Sequence, residues 1–166
     1  MAGLEDLYRE IILDHYRNPR NRGELPVPPA RRVEGFNPLC GDEVIVYVDL
    51  DAGVATVTDV KIAGQGCSIS QSSASMMTGA VKGRSVEQVR EVIRAFKAMM
   101  SIHERGLDGD GKEVEQAVLP DPSVALGDLE ALRGVVKFPV RIKCATLSWN
   151  TLAQALDDAA AEAEAR

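Results

Sequence analysis

Aromatic residues are scarce in this chain. Phe, Tyr and Trp together make up 4 % of its 166 residues, with a single tryptophan. A core poor in rings has to be assembled from Val, Ile, Leu, Ala and Met. Dense basic stretches are absent too, and the net charge is −6. Nucleic acid, which needs clustered Lys and Arg against its phosphates, is therefore not an expected partner. No apolar run is long enough to span a bilayer, and the opening Met1-Ala2-Gly3-Leu4-Glu5 lacks the basic and apolar regions of a signal peptide. Neither a membrane nor export is expected. No Cys-x-x-Cys pair occurs, and three cysteines are an odd number. That argues against a disulfide framework and for a reducing, cytoplasmic setting.

The remaining composition is that of a globular domain, 45 % hydrophobic and 27 % charged. The length suits a single domain, 1–166. Leu4, Leu7, Tyr8, Ile11 and Ile12 fall at helical spacing, and the helix should stop near Asn18-Pro19. Pro26, Pro28 and Pro29 mark a loop. A short strand is expected around Arg32 to Phe36. Val44, Val46, Val48 and Leu50 alternate with polar neighbours as a half-buried strand does, and Asp51-Ala52-Gly53 reads as a turn into a strand from Val54 to Ile62. Beyond Cys67 the pattern is helical. Ser68 with Gln71, and Ser85 with Gln88, have capping-box spacing, Gly83 is a stop, and Phe138-Pro139 opens a last helix striped by Ala145, Trp149, Leu152 and Leu156. Strands followed by helices predict an α+β fold, a three-stranded antiparallel sheet covered on one face by helices. An insertion is expected at about 101–122. Its Asp108-Gly109-Asp110-Gly111 lacks the other ligand positions of an EF-hand and reads as turn chemistry, and His103 reads as a solvated loop residue.

The three cysteines stand in well-defined contexts: Asn37-Pro38-Leu39-Cys40-Gly41-Asp42, Gly64-Gln65-Gly66-Cys67-Ser68, and Arg141-Ile142-Lys143-Cys144-Ala145. Cys40 and Asp42 reach one point from a single turn, and Cys67 and Cys144 complete a four-ligand shell. Thiolates with one oxygen suit zinc or an iron–sulfur cluster, and the same thiols can accept and pass on sulfur. Cys67 precedes a helix and Cys144 lies in the first turns of another, where partial positive charge favours thiolate. The plain alternative makes each cysteine a small buried hydrophobe. Arg141, three residues before Cys144, reads either as a partner for Asp42 or as a surface arginine.

Four segments resemble the NifU-N/IscU superfamily, and its SufU branch in particular. They are Leu-Tyr-Arg-Glu-Ile-Ile-Leu-Asp-His-Tyr-Arg-Asn-Pro-Arg-Asn from Leu7, Asn-Pro-Leu-Cys-Gly-Asp from Asn37, Gly-Gln-Gly-Cys-Ser-Ile-Ser from Gly64, and Phe-Pro-Val-Arg-Ile-Lys-Cys-Ala-Thr-Leu-Ser-Trp from Phe138. The resemblance implies that loops bring Cys40, Asp42, Cys67 and Cys144 together at one exposed end and that these four bind zinc. It further implies that Cys40 accepts persulfide sulfur from a pyridoxal-phosphate-dependent cysteine desulfurase, for delivery to downstream iron–sulfur assembly proteins. In the implied exchange a histidine of the desulfurase takes the place of Cys40 on zinc, while the other three ligands stay.

IscU-type members carry histidine immediately before the last cysteine, where this chain has Lys143. A protonated ammonium has no lone pair for a metal. Lys143 therefore favours the sulfur-transfer reading. Two alternatives stay open: a scaffold on which a transient Fe–S cluster is built, and a purely structural zinc module.

Overall fold

The computed structural model describes residues 4–38, 40–101 and 126–164. Helix α1, Leu4–Arg17, ends where proline forbids its continuation. Three strands follow, β1 (Arg31–Asn37), β2 (Asp42–Leu50) and β3 (Val57–Gln65), in an antiparallel sheet of order β1-β2-β3. Then come α2 (Ser68–Val81), α3 (Val86–Ser101), a run of 3-10 turns over Gly127–Lys137, and α4 (Pro139–Glu164). The α+β architecture expected from the sequence is the one observed. The insertion expected at about 101–122, with His103 and the Asp108–Gly111 stretch, lies outside the described residues apart from the end of α3.

Helices pack on one face of the sheet. Val44, Val46 and Val48 of β2 and Val60 and Ile62 of β3 point inward and are buried. They meet Met77 and Val81 of α2 and Trp149, Leu152 and Leu156 of α4 in one cluster. On the opposite face β1 exposes Arg32, Glu34 and Phe36. Tyr47 also lies on that face yet is buried, its hydroxyl 3.3 Å from the Arg32 Nε that donates to it. The lone tryptophan stacks on Phe96 of α3, ring centroids 4.4 Å apart. α4 comes so close over β1 that a Cβ on Gly35 would overlap the Thr151 hydroxyl.

Helix α2 runs through the middle of the molecule although much of it is polar. Ser70, Gln71, Ser72, Ser73, Ser75 and Thr78 are all buried. Local carbonyls absorb several hydroxyls: Ser70 donates to Cys67, Ser72 to Ile69 and Thr78 to Ser75. Others bind neighbouring elements. Ser73 accepts from the Trp149 indole at 3.0 Å and donates to the Ala145 carbonyl at 2.6 Å. The Ser75 hydroxyl accepts from the Arg20 amide and sits 2.8 Å from His15 Nδ1, while His15 Nε2 is 3.0 Å from Asp128. These contacts tie α1, α2 and the 3-10 segment together.

Local chemistry departs from the sequence reading at three places. β3 starts at Val57 and not at Val54, because Asp51 builds a wider turn. Its carboxylate accepts from the Ala55 and Thr56 amides, its carbonyl accepts from Val54, and Val54 has a φ of 55°. The expected Ser68–Gln71 capping box is replaced by Cys67, the true N-cap, whose sulfur accepts from the Ser70 amide at 3.4 Å. Residues 127–137, read from the sequence only as part of a generally helical stretch, wind as 3-10 turns.

The second capping box forms as expected, with Gln88 N–H donating to Ser85 Oγ and Ser85 N–H to Gln88 Oε1. Ser85→Ala should therefore cost about 1 kcal/mol of unfolding free energy in urea titrations. Ser68→Ala should stay within about 0.5 kcal/mol of the parent protein. An equal loss in both would contradict the assignment of Cys67 as the cap.

Candidate metal centre

Three backbone segments deliver the sulfur and oxygen groups to one end of the sheet. Cys40 lies in the turn between β1 and β2, next to Gly41, which has a φ of 66° and open space around its Cα. Asp42 is the first residue of β2 and is fully buried. Cys67 ends the loop from β3 into α2, and Cys144 lies in the second turn of α4. One ligand atom each from Cys40, Asp42 and Cys144 lie within 4.8 Å of one another. The Cys144 thiol donates to Cys40 Sγ at 3.4 Å. Cys67 joins from the side, its sulfur 3.9 Å from Asp42 Oδ2 and its amide donating to Asp42 Oδ1 at 2.9 Å. All three cysteines are free thiols.

The loop that carries Cys67 tolerates little bulk. A Cβ on Gly66 would lie 2.6 Å from both Asp42 Oδ1 and Ser70 Oγ. Gly64 has a φ of 111°, and a side chain there would overlap the Glu43 carbonyl. Arg22 braces the loop from behind, donating to the Gly64 carbonyl at 2.8 Å and to Gln71 Oε1 at 3.2 Å. Asn37, buried at the end of β1, donates to Cys144 Sγ at 3.8 Å. Arg22 and Asn37 were not singled out from the sequence as site residues, and Gln71 was read there only as the capping partner of Ser68. Only Asn37 carried a signal, its place within the Asn-Pro-x-Cys-Gly-Asp segment.

Arg141 does not pair with Asp42. Its guanidinium lies near the sulfurs, and the charge of Cys67, then that of Cys144, raises its pKa. No ion pair to Asp42 is formed among the described residues. Lys143 is exposed on the next helical face, in a shallow groove with Phe36, Asn37, Pro38 and Thr146. The side chains of Arg141 and Lys143 thus flank Cys144 on different sides.

A buried carboxylate that forms no ion pair among the described residues, set against three thiols, is costly by itself. The same donors suit a divalent cation of intermediate softness, with Cys40, Asp42 and Cys144 as the tightest group and Cys67 adjoining. The helix position of Cys144 does not lower its pKa, contrary to expectation. Burial pushes the thiol well above its ordinary value, and hydrogen bonds to Asp42 and Cys40 push the same way.

The comparisons with known proteins agree in fold and in chemistry. The family described as "NifU-like N terminal domain" matches residues 7–145. The zinc-dependent sulfurtransferase SufU of Bacillus subtilis is 47 % identical over 151 residues, covering 91 % of this chain and 90 % of its own. The iron–sulfur cluster assembly scaffold protein IscU of Streptococcus pyogenes serotype M1 is 36 % identical, covering 94 % and 86 %. The structure of a NifU-like N-terminal domain from Brucella abortus superposes with a TM-score of 0.71 at 23 % identity, over 93 % of this chain and 94 % of that one, and shares the fold. Among the described residues, no helix is long and apolar enough to cross a membrane.

The raised Cys144 pKa fixes a sign for the metal-free protein. Above the ordinary thiol value of 9.0 the unfolded chain releases this proton while the folded chain still holds it. Stability in the presence of chelator should be intact below pH 9 and fall at higher pH, by up to about 1.4 kcal/mol per pH unit. Denaturant titrations from pH 7.5 to 10.5 read this slope directly. Cys144→Ala should flatten it; an unchanged slope in that variant would place the titration elsewhere.

Proposed function

We propose a function for this chain from one premise: it belongs to the family of NifU-like N-terminal domains. The chain is a zinc-binding sulfur-transfer protein that accepts persulfide sulfur from a cysteine desulfurase for iron–sulfur cluster assembly in the cytoplasm. Supporting this reading are the convergence of Cys40, Asp42 and Cys144 within 4.8 Å and the similarity to a zinc-dependent sulfurtransferase. Cys40, Asp42, Cys67 and Cys144 would hold the zinc ion. When bound, zinc supplies the positive charge that keeps buried thiols deprotonated.

The three sulfurs differ in availability, and this difference carries the assignment of the acceptor. Cys144 is fully buried. Cys67 is half-buried, but its sulfur caps α2 by accepting from the Ser70 amide. Cys40 is half-buried in a turn, accepts a hydrogen bond from the Cys144 thiol, and has Gly41 beside it. The group best placed to attack is therefore Cys40. Its thiolate attacks the outer sulfur of the donor's persulfide, and a new S–S bond forms on Cys40. The donor's S–S bond breaks, and the donor cysteine, on a pyridoxal-phosphate enzyme, leaves as a thiolate.

Asp42 stays in place, because the Cys67 amide fixes one of its oxygens. Lys143 is an exposed cation beside the site and supplies no ligand lone pair, which supports transfer over cluster building.

Cys40→Ala should fold and retain part of its zinc yet gain no sulfur when incubated with desulfurase and cysteine. Cys144→Ala should lose zinc and stability together, since binding free energy is part of folding free energy. Metal analysis, thermal melts and peptide mass mapping read all three properties. Sulfur arriving first on Cys67 or Cys144 would reverse the assignment. Brown protein containing sulfide after anaerobic isolation would favour the scaffold reading suggested by similarity to IscU.

A further inference from the structure

Beside the thiols lies a groove of about 770 Å³. Its walls come from α1, the start of α2, the 3-10 segment and the start of α4. Ile12, Leu13, Ile69 and Val135 provide apolar lining. Among the described residues, every charged residue that lines it is a cation: Arg9, Lys137 and Arg141. That is unexpected in a chain with 25 acidic and 19 basic residues.

Two helix N-termini also reach it, α2 through Ser68 and Ile69, and α4 through Phe138 and Arg141. The helix N-termini add partial positive charge to that of the side chains. Ser68, next to Cys67, and Arg141, three residues before Cys144 on α4, both line the groove, so it lies beside the thiol cluster. Its volume is in the range of small-molecule sites, about 300–1,000 Å³.

We infer that this groove binds a low-molecular-weight thiol bearing carboxylates, which takes sulfur from the cluster. The inference rests on the sulfur-transfer reading above. Charge complementarity selects the anion, the apolar lining accepts its methylene stem, and exchange with a persulfide requires the acceptor to be a thiol. Its carboxylates lie toward Arg9 and the helix ends, and its sulfur toward Arg141 and the cysteines. In the transfer step the ligand's thiolate attacks the outer sulfur of the persulfide on the protein. A new S–S bond forms on the ligand, the protein's S–S bond breaks, and the protein cysteine leaves as a thiolate. Electrons balance without any external oxidant or reductant.

Glutathione serves as the probe, and its S-methyl derivative as a ligand that cannot accept sulfur. Titration of the zinc-loaded full chain with S-methylglutathione should shift the methyl resonances of Ile12, Leu13, Ile69 and Val135 saturably. Arg9→Glu should weaken that binding roughly fivefold, the effect of one partly exposed ionic contact. Gly134→Leu should abolish it, because Gly134 lines the groove and a Cβ there meets nothing within 4 Å, so the fold accommodates the change.

With persulfidated protein, discharge by glutathione should saturate, whereas discharge by neutral 2-mercaptoethanol should rise linearly. Gly134→Leu should remove the saturation while leaving persulfide loading from the desulfurase unchanged. Absence of methyl shifts, or saturation that survives Gly134→Leu, overturns the proposal. Shifts produced by an acidic peptide but not by S-methylglutathione overturn it as well. Failure of the sulfur-transfer reading has its own signature, no persulfide on the protein before any thiol is added, and the S-methylglutathione titration still decides the groove.

Discussion

The carboxylate of Asp42 is buried at the first position of β2 and is fixed there by the amide of Cys67. That single hydrogen bond joins the start of one strand to the entry of the central helix. It dictates that the loop from β3 pass within contact of Asp42, which is why Gly64 and Gly66 carry no side chains. It also brings the sulfur of Cys67 alongside the carboxylate. Burial of an anion is tolerable only when compensated, and no cationic side chain among the described residues pairs with it. The demand for positive charge is therefore built into the protein framework, and the surrounding thiols determine which kind of cation meets it.

Helix α2 explains how such a loop is held in place. A helix of ordinary amphipathic pattern would leave one face in water, but serine and alanine allow α1, α4 and the sheet to approach from several sides. The buried hydroxyls are satisfied locally or by a neighbour, which leaves Gln71 Nε2 as the buried polar atom of this helix without a hydrogen bond among the described residues. The contact of His15 with Ser75 and Asp128 then fastens α1 and the 3-10 segment to that helix. Those two elements form walls of the cationic groove, so the polar interior of α2 shapes the surroundings of the sulfurs as well as their positions.

Much of this was legible in the chain. The alternation of Val44, Val46 and Val48 announced an inward strand face, and the stripe from Ala145 to Leu156 announced the buried side of α4. The Ser85–Gln88 box could be read because both partners are side chains at fixed spacing. Elsewhere the signal was tertiary. Cys67 displaced Ser68 as cap because the loop geometry demanded by Asp42 puts its sulfur over the Ser70 amide. The burial of α2 could not be read from hydrophobic periodicity, since its serines pack by size and not by apolarity. Arg141 makes no ion pair with Asp42, whose Oδ1 accepts from the Cys67 amide. The family resemblance, more than spacing, pointed to a common site for the four donor residues, and the ranking of three thiols by availability needed the fold.

Exposed rings complete the functional picture. The chain has three phenylalanines, and only Phe96 enters the core. Phe36 is 64 % exposed and Phe138 63 %, with Val140 at 64 %. Phe36 precedes Asn37, the residue that donates to Cys144; Phe138 immediately precedes α4, the helix that carries Cys144, and Val140 lies in its first turn. A protein this poor in aromatics gains about 1.5–3 kcal/mol from each ring it buries, so leaving two of three outside is a real sacrifice of stability. Their placement at the sulfur end gives that sacrifice a use. Apolar side chains around a partly buried thiol supply the surface that a protein donor can cover, excluding water while the S–S bond is exchanged. The cations of the neighbouring groove favour small anions instead. Phe138 also lines that groove, so the apolar and the cationic surfaces meet beside the same cysteines.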